Sequence, residues 1–310
     1  MGGTGDDLVF GGADGDLVFG GADGDRILGN GGDDNLNGGD AGDRIYGGDG
    51  NDILYGGAGD DLLIGGLGED ELNGGSGADT LYAETGADQA FGGSEADTIF
   101  IDDETLLVDA GTGTDTVRLT GIAQPGTAGF LADLTGVFDQ LGTAAVLTRI
   151  TADLSNVENL TGDRGDDFLI GDAGTNVLRG ALGNDTLVSG QGVDTLFGGG
   201  GADVFVFDGT NGSADQLRDI AFGTDKIGLV DGSFADINAT NIAARLTINA
   251  TGTVGASSVA QFIFDNSGAG FGNLSFDADG NGAGLAVLVA TLSPQAGTLV
   301  AFSAADFVFL

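Results

Sequence analysis

Residues 2–100 consist of eleven consecutive nonapeptides without an insertion, GGTGDDLVF (residues 2–10), GGADGDLVF, GGADGDRIL, GNGGDDNLN, GGDAGDRIY, GGDGNDILY, GGAGDDLLI, GGLGEDELN, GGSGADTLY, AETGADQAF and GGSEADTIF (residues 92–100). The sixth position is aspartate in every repeat. The eighth is aliphatic in every repeat, from Val9 in the first to Ala90 and Ile99 in the last two. A fixed internal period of this kind predicts a solenoid, in which each repeat is one structural unit stacked on its neighbours.

The repeat continues beyond residue 100 and returns later in the chain. Residues 101–109 keep Val108 at the eighth position but have Leu106 at the sixth, and residues 110–118 restore the aspartate. A second block covers residues 162–206 as GDRGDDFLI, GDAGTNVLR, GALGNDTLV, SGQGVDTLF and GGGGADVFV, with Asn176 at one sixth position. The sixth-position aspartates of the two blocks are Asp7, Asp16, Asp25, Asp34, Asp43, Asp52, Asp61, Asp70, Asp79, Asp88, Asp97, Asp115, Asp167, Asp185, Asp194 and Asp203.

The nonapeptide itself predicts a local structure. Its last three residues suit a short strand whose central aliphatic side chain points to one side and whose neighbours point to the other. The preceding six residues suit a turn, because their glycines permit positive φ angles and close backbone approach. Two repeats, or 18 residues, would form one coil, and successive coils would build two parallel sheets with the aliphatic residues inside. The predicted fold class is therefore an all-β parallel β-roll.

Composition and charge exclude several functions. The 310 residues carry 48 acidic and 9 basic side chains, giving a formal charge of −39, and contain neither histidine nor cysteine. A nucleophile paired with an imidazole base, an HExxH zinc site and a disulfide framework are therefore unavailable. Repulsion from phosphate argues against nucleic-acid binding. No apolar run is long enough for a membrane span, and the first ten residues do not form a cleavable signal peptide.

The same negative charge predicts that the folded chain binds cations. Residues 1–118 contain 27 acidic and 3 basic side chains, and stacking places like carboxylates one strand spacing apart. Each such pair repels by about 0.9 kcal/mol even in water. Carboxylate and carbonyl oxygens are calcium ligands, whereas magnesium demands a tighter octahedron and dehydrates reluctantly. We therefore expect several calcium ions rather than a metal-free acidic linker.

The GGxGxDxUx repeat resembles the repeats-in-toxin (RTX, hemolysin-type) calcium-binding repeats of proteins exported by Gram-negative type I secretion. The resemblance implies a calcium ion between same-side turns of successive coils, held by the sixth-position aspartates of repeats n and n+2 together with backbone carbonyls. It implies roughly nine ions in the first eleven repeats and a few more in the second block. The weakest sites are expected near Ala90 and Leu106.

We predict four segments: a first β-roll block at 1–118, irregular rungs or an insertion at 119–161, a second block at 162–206 and a C-terminal β-rich cap at 207–310. In the second segment a short amphipathic helix over residues 130–141 is the alternative to irregular solenoid rungs. The last 104 residues hold 10 of the 19 phenylalanines and only 10 of the 48 acidic residues, so they can form a core of their own.

Three C-terminal motifs carry further candidates. The stretch DQLRDIAFGTDKIGL resembles the segment that closes the RTX domain of serralysin-type proteases, which makes Asp219 and Asp225 candidate calcium ligands; a solvated surface pair is the alternative. DADGNG matches half of an EF-hand loop, with Asp277 and Asp279 as candidates, although an Asn-Gly hairpin turn is favoured. The terminal DFVFL (306–310) resembles an uncleaved type I secretion signal and is also compatible with a last edge strand.

These patterns favour a secreted, non-enzymatic calcium-binding β-solenoid. It would pass through the type I machinery unfolded, fold on meeting calcium outside a Gram-negative cell, and serve as a structural, surface or matrix module. The first alternative is the C-terminal module of a larger exported protease, lipase or epimerase, and the start of the chain favours a fragment or an open stack. The second is an adhesin or matrix protein whose exposed first coil associates with another molecule.

Overall fold

The computed structural model describes residues 1–102, 105, 107–120, 128–133, 153–207, 214–221, 223–229, 246–249, 261–265, 272–277, 287–292 and 304–309. These residues are almost entirely β-structure; their one helix is the 3₁₀ turn Ala304–Asp306. The chain divides into two compact units. The first comprises Met1–Ile122, Phe130–Gly136 and Thr148–Thr161, and the second comprises Ala123–Gly129, Val137–Leu147 and Gly162–Leu310.

The first unit is built from short strands that follow the nonapeptide register. Their bounds are β1 Gly3–Thr4, β2 Leu8–Gly12, β3 Leu17–Ala22, β4 Arg26–Gly31, β5 Asn35–Asp40, β6 Arg44–Asp49, β7 Ile53–Ala58, β8 Leu62–Leu67, β9 Glu71–Ser76, β10 Thr80–Thr85, β11 Gln89–Ser94, β12 Thr98–Ile101, β13 Leu107–Thr112, β14 Thr116–Leu119, β16 Asp153–Ser155 and β17 Asn159–Thr161. A further strand, β15 (Ala128–Asp133), contains residues of both units.

Alternate strands of the first unit form two parallel sheets. The odd sheet has the order β1-β3-β5-β7-β9-β11-β13-β16, and the even sheet contains β2-β4-β6-β8-β10-β12-β14-β17. Within the uninterrupted repeats each residue pairs with the residue 18 positions later, as Leu36 does with Leu54 and Ile45 with Leu63. One coil is therefore two nonapeptides, as the period predicts.

The core of this unit is a column of eighth-position side chains from each sheet. From Ile27 onward these aliphatic residues are fully buried, including Leu36, Leu63 and Ile99. The seventh and ninth residues of each repeat point outward, because side chains alternate along a strand. Burying one aliphatic side chain per nine residues leaves a thin core, so the charged turns must also be accommodated for the fold to be stable.

The second unit continues the same architecture and then departs from it. Its strands are β18 Asp166–Ile170, β19 Val177–Leu182, β20 Thr186–Val188, β21 Thr195–Gly200, β22 Val204–Phe207, β23 Asp215–Leu217, β24 Lys226–Leu229, β25 Leu246–Asn249, β26 Gln261–Asp265, β27 Gly272–Asp277, β28 Val287–Leu292 and β29 Phe307–Phe309. Strands β18-β20-β22-β24-β29 pair in parallel. A second sheet runs β19-β21-β23-β28-β27-β26-β25, in which β26, β27 and β28 are antiparallel neighbours.

The predicted all-β parallel β-roll is confirmed. Strands β16 and β17 pair with β13 and β14, so the end of the predicted middle segment does supply rungs. Phe130 and Leu131 lie in strand β15 rather than in a helix, and the other apolar positions of the proposed helix lie outside the described residues. The C-terminal β-rich cap and the four segment boundaries stay predictions.

Candidate metal centre

The sixth-position carboxylates occupy one repeated place in the fold, at the end of each turn and directly before a strand. Asp7 and Asp16, in the first coil, are half-buried. The later members are buried with no more than 3% exposure, and they are Asp25, Asp34, Asp43, Asp52, Asp61, Asp70, Asp79, Asp88, Asp97, Asp115, Asp167, Asp185, Asp194 and Asp203. A buried carboxylate is costly unless its oxygens find partners, so their surroundings decide what the site can bind.

One oxygen of most of these carboxylates links consecutive coils. The backbone N–H of Asp43 donates to Oδ1 of Asp61 at 2.6 Å, and that of Asp61 donates to Oδ1 of Asp79 at 2.8 Å. The same bond recurs from Asp7 to Asp115 before the even sheet and from Asp16 to Asp88 before the odd sheet. The aspartates thus form hydrogen-bonded ladders along each side of the solenoid.

The other oxygen is buried and has no hydrogen-bond partner among the residues that the structure describes. This holds for Oδ2 of Asp25, Asp34, Asp43, Asp52, Asp61, Asp70, Asp79, Asp97, Asp115, Asp185, Asp194 and Asp203. Native proteins rarely leave buried polar atoms unsatisfied, and a repeated exception indicates an ion at that place.

Backbone carbonyls converge on the same point. A Cβ atom placed on Gly56, the first residue of its repeat, would lie closer than 3.0 Å to both Oδ2 of Asp61 and the carbonyl oxygen of Gly74. The equivalent pairs recur at Gly20, Gly38 and Gly74. Glycine is therefore required at the first position of these repeats because a carboxylate oxygen and a carbonyl oxygen of the next same-side coil occupy the space that a side chain would fill.

Electrostatics favour neutralisation of these ladders. Burial raises the pKa of Asp61, Asp79 and Asp97 to about 7, against the opposing effect of the backbone N–H donor, and neighbouring aspartates raise it further. The pKa of Asp43 and of Asp70 is raised to about 6 for the same reasons. In the second block burial raises the pKa of Asp185 to about 8. Without a counter-ion these buried carboxyls therefore take up protons at a higher pH than an ordinary aspartate does.

The sequence analysis did not identify two further acidic residues that belong to the ladders. Oε2 of Glu158 accepts the N–H of Asp115 at 2.7 Å, and Oδ1 of Asp215 accepts the N–H of Asp194 at 3.0 Å. Both stand outside the nonapeptide register. Each begins an acidic-x-aliphatic triplet, Glu158-Asn159-Leu160 and Asp215-Gln216-Leu217, which is the signal that could have identified them.

The predicted C-terminal candidates divide into two groups. Oδ1 of Asp225 accepts the N–H of Asp203 at 3.1 Å, so Asp225 extends a ladder, and its other oxygen accepts the N–H of Ala221. Asp219 accepts the N–H groups of Gly198 and Gly199 at 2.9 and 3.0 Å. Burial raises the pKa of both carboxyls. Whether either binds calcium stays a prediction.

The half EF-hand lies largely outside the described residues. Asp277 ends strand β27, its side chain is not described, and Asp279 is outside the described residues. Strands β27 and β28 pair in antiparallel fashion, as expected for the favoured hairpin.

The terminal strand β29 pairs with β24, and Oδ1 of Asp306 accepts the N–H of Gly223 at 3.0 Å. Lys226 Nζ lies 3.9 Å from the same oxygen. The last strand of the described chain is therefore integrated into a sheet.

The donor set fits calcium. In the described part of the chain, no three acidic side chains gather into a metal cluster. The sites instead combine single buried carboxylate oxygens with backbone carbonyls, and such hard, uncharged and charged oxygens in a flexible arrangement suit Ca²⁺ better than Zn²⁺ or Mg²⁺. The fold and the ladders together define a calcium-binding parallel β-solenoid.

Comparison with known families gives the same result. A family model described as RTX calcium-binding nonapeptide repeat (4 copies) matches residues 1–27, 28–63, 37–72, 64–99, 155–187 and 180–213, which together make up just over half of the chain. The chain belongs to this family of RTX calcium-binding repeats. Its matched segments contain the ladder aspartates from Asp7 to Asp97 and from Asp167 to Asp203, and they also contain Glu158.

The solved structures to which the chain is similar include the extracellular lipase LipA from Serratia marcescens, at 19% identity and a TM-score of 0.23. The match covers 93% of this chain and 40% of the lipase, so the chain spans less than half of that protein's length. No curated protein matches the sequence. Among the described residues, no helix has the length and apolar character needed to cross a membrane.

Proposed function

We propose that the chain is a secreted calcium-dependent module, which crosses the type I secretion channel unfolded and folds into its β-solenoid on meeting calcium outside the cell. The observation that carries this proposal is the ladder of buried carboxylates such as Asp61 and Asp79, in which Oδ1 accepts a backbone N–H and Oδ2 has no hydrogen-bond partner among the described residues. A chain with this arrangement needs a cation to fold, which makes folding a response to the surrounding medium.

The required difference in calcium concentration exists across a bacterial envelope. Extracellular calcium modules bind with dissociation constants of about 10⁻⁴–10⁻³ M, above the calcium level of the cytoplasm. An ion that binds only the folded state stabilises it by RT ln(1 + [L]/Kd), which is about 1.4 kcal/mol per site at ten times Kd. Several sites in series therefore give a steep transition between an unfolded chain inside and a folded chain outside.

The module would act by its structure rather than by catalysis. The sequence has no histidine and no cysteine, so the common nucleophile–base pairs are not available to it. Asp61, Asp79 and the other ladder residues would hold calcium, whose positive charge replaces the missing partner of their buried oxygens. We propose a structural role at a cell surface or in an extracellular matrix.

A calcium titration followed by far-UV circular dichroism tests the proposal. We expect a disordered spectrum in chelator, a cooperative gain of β-structure as calcium approaches millimolar levels, and no equivalent gain with magnesium. Full β-structure in chelator would overturn the proposal. Hydrolysis of ester, peptide or polysaccharide substrates by the 310 residues alone would contradict the non-enzymatic role.

A further inference from the structure

The outward ninth-position residues of the odd sheet alternate between an aromatic ring and a short polar side chain. They form one column across strands β3, β5, β7, β9, β11 and β13, here called the odd column, and in that order they are Phe19, Asn37, Tyr55, Asn73, Phe91 and Asp109. Strand pairing places each member directly beside the next. Phe19 is 37% exposed and the other members are half-buried. Three rings therefore lie along the surface of the solenoid, with an asparagine between each ring and the next.

The sheet sets the spacing of these rings. Neighbouring strands lie about 4.8 Å apart, so Tyr55 and Phe91, two strands apart, are separated by about 9.6 Å along the solenoid, and the column from Phe19 to Phe91 is about 19 Å long. Aromatic side chains contact each other at about 4.5–7 Å between centroids. On the even sheet, Tyr82 and Phe100 occupy adjacent strands and stack with centroids 4.2 Å apart. The rings of the odd column are too far apart to cover one another in this way.

A groove lies beside the odd column, at the start of strands β7, β9 and β11. Its volume is about 320 Å³, within the range of roughly 300–1,000 Å³ that is usual for ligand-binding clefts. The residues that line it include the amides Asn51 and Gln89 and the carboxylates Glu69 and Glu71. Oδ1 of Asn51 accepts the N–H of Glu69 at 3.0 Å, which holds this amide in place along the groove. Amides donate and accept hydrogen bonds and carboxylates accept them, so the lining suits a ligand rich in hydroxyl groups.

Charge and width limit the kind of ligand that fits the odd sheet. The three arginines of residues 1–118 all lie on the even sheet, at Arg26, Arg44 and Arg118, whereas the outward positions of strands β3 to β13 of the odd sheet carry no basic residue. An acidic polymer would find no counter-charge there and would be repelled by the net charge of −39. A specific protein interface buries about 800 Å² per partner, more than a strip two outward side chains wide provides. The strip instead suits a single extended and uncharged chain.

We propose that the odd column and the groove bind an uncharged β-1,4-linked polysaccharide that lies along the solenoid. In such an extended polymer each sugar adds a length close to one strand spacing, and every second sugar presents the same face, so rings two strands apart meet equivalent sugar faces. Asn37 and Asn73 would bond to hydroxyl groups between the stacked sugars. The site rests on the calcium-dependent folding proposed above, because the ladder residues Asp52 and Asp70 line the same groove. It gives the structural role in a matrix a partner of defined chemistry.

Co-sedimentation of the calcium-loaded protein with microcrystalline cellulose and with chitin, two uncharged β-1,4-linked polymers, tests the proposal. Insoluble starch is the control, because its α-1,4 linkage gives a coiled rather than an extended chain. We expect the protein to sediment with at least one of the β-1,4-linked polymers and to stay in solution with starch. Circular dichroism of the same sample reports folding. A folded protein that binds neither β-1,4-linked polymer, or that binds starch equally well, overturns the binding proposal alone, whereas a chain that stays unfolded in calcium overturns the proposed function with it.

A pair of tyrosine variants tests whether the odd column is the binding surface. Tyr55→Ala removes the central ring, and we expect it to weaken binding to the polysaccharide about two- to tenfold. Tyr46→Ala is the matched control, because Tyr46 is a half-buried, outward ninth-position tyrosine on the even sheet. It should bind as the unsubstituted protein does. Equal weakening in the two variants, with both folded by circular dichroism, would place the binding surface elsewhere.

Asn73→Tyr tests the spacing of the rings. It would place a ring one strand away from both Tyr55 and Phe91, at the separation that lets Tyr82 and Phe100 stack on the even sheet. Rings that stack on one another cover the faces that a sugar would contact, so we expect binding to fall about twofold or more. If Asn73→Tyr instead strengthens binding, aromatic surface alone is sufficient and the proposed match between strand spacing and polymer repeat is wrong.

Discussion

The first RTX block and the end of the second unit use the same carboxylate ladder but space it differently. In the first block every step from one ladder aspartate to the next is 18 residues, from Asp7 and Asp16 onward. In the second unit the steps from Asp194 to Asp215 and from Asp203 to Asp225 are 21 and 22 residues, yet the N–H to Oδ1 bond survives at 3.0 and 3.1 Å. Strand register, rather than sequence spacing, therefore places the carboxylate.

A second difference concerns charge. The first block has aspartate at every sixth position up to residue 97, whereas the second has Asn176, whose N–H still donates to Oδ1 of Asp194 at 2.8 Å. That bond comes from the backbone of Asn176, while its side-chain oxygen accepts the N–H of Asp172 at 2.9 Å and the amide carries no charge. The ladder thus has two separable parts: a backbone N–H donor that does not depend on the side chain, and a carboxylate whose charge favours calcium.

The largest expected effect is the response of the calcium-free protein to pH. The raised pKa values of Asp61 and Asp79, about 7 against an ordinary value of about 4, mean that the folded state binds protons more tightly than the unfolded state. Their contribution to stability is full below about pH 4 and is lost as the pH rises to about 7, or to about 8 for Asp185. Acidification in chelator should therefore increase β-structure, measured by circular dichroism.

In the presence of calcium, acidification should destabilise the fold instead, because carboxylates must lose their protons to bind the metal. Acidification should then raise the calcium concentration at the folding midpoint. Hydrogen exchange resolved by block should show β20 and β22, next to Asp185, retaining protection to a higher pH in chelator than the strands of the first block. Loss of β-structure on acidification in chelator would contradict the pKa argument.

A smaller effect is expected from adding a side chain at one first-position glycine of the first block. In Gly47→Ala the new Cβ would lie 2.5 Å from the carbonyl oxygen of Gly65 and within contact of Oδ2 of Asp52. Crowding of this kind costs about 1–3 kcal/mol, and it also separates two oxygens that face the same ion. We expect a higher calcium midpoint and one site fewer, measured by titration calorimetry.

Gly31→Ala is the matched control, because its nearest atom would be the carbonyl oxygen of Asp49 at 3.8 Å. It should leave both midpoint and stoichiometry unchanged. The tenth repeat already has alanine at the equivalent of Gly47, namely Ala83, so Gly47→Ala would make a central coil resemble the rung beside the interruption. An unchanged midpoint would show that the glycine carbonyls are not ligands.

Much of this structure follows from the sequence. The period specifies 18-residue coils, and the eighth position identifies core residues such as Leu36 and Ile45, because a uniform repeat allows only one register. Glu158 and Asp215 were missed because they depend on strand pairing across insertions, which spacing cannot show.

The smallest effects are expected from exchanging the two kinds of ladder residue between the blocks. In Asp61→Asn the amide oxygen can still accept the N–H of Asp43, and the amide NH₂ can donate to the carbonyl of Gly74, whose oxygen lies 2.5 Å from the place of a Cβ on Gly56. One repelling charge is removed and one calcium ligand is lost. Asn176→Asp makes the opposite exchange in the second block.

We therefore expect the two substitutions to shift both residual structure and the calcium midpoint in opposite directions. In chelator Asp61→Asn should gain residual structure and Asn176→Asp should lose it, because unneutralised like charges repel by about 1 kcal/mol or more per pair. In calcium the order reverses: Asp61→Asn should raise the folding midpoint about two- to tenfold, and Asn176→Asp should lower it. Asp60→Asn is the control, because Asp60 is exposed, accepts the N–H of Ala78 at 2.9 Å and changes net charge equally. If Asp60→Asn shifts the midpoint as far as Asp61→Asn, net charge rather than the buried ladder oxygen determines calcium-dependent folding.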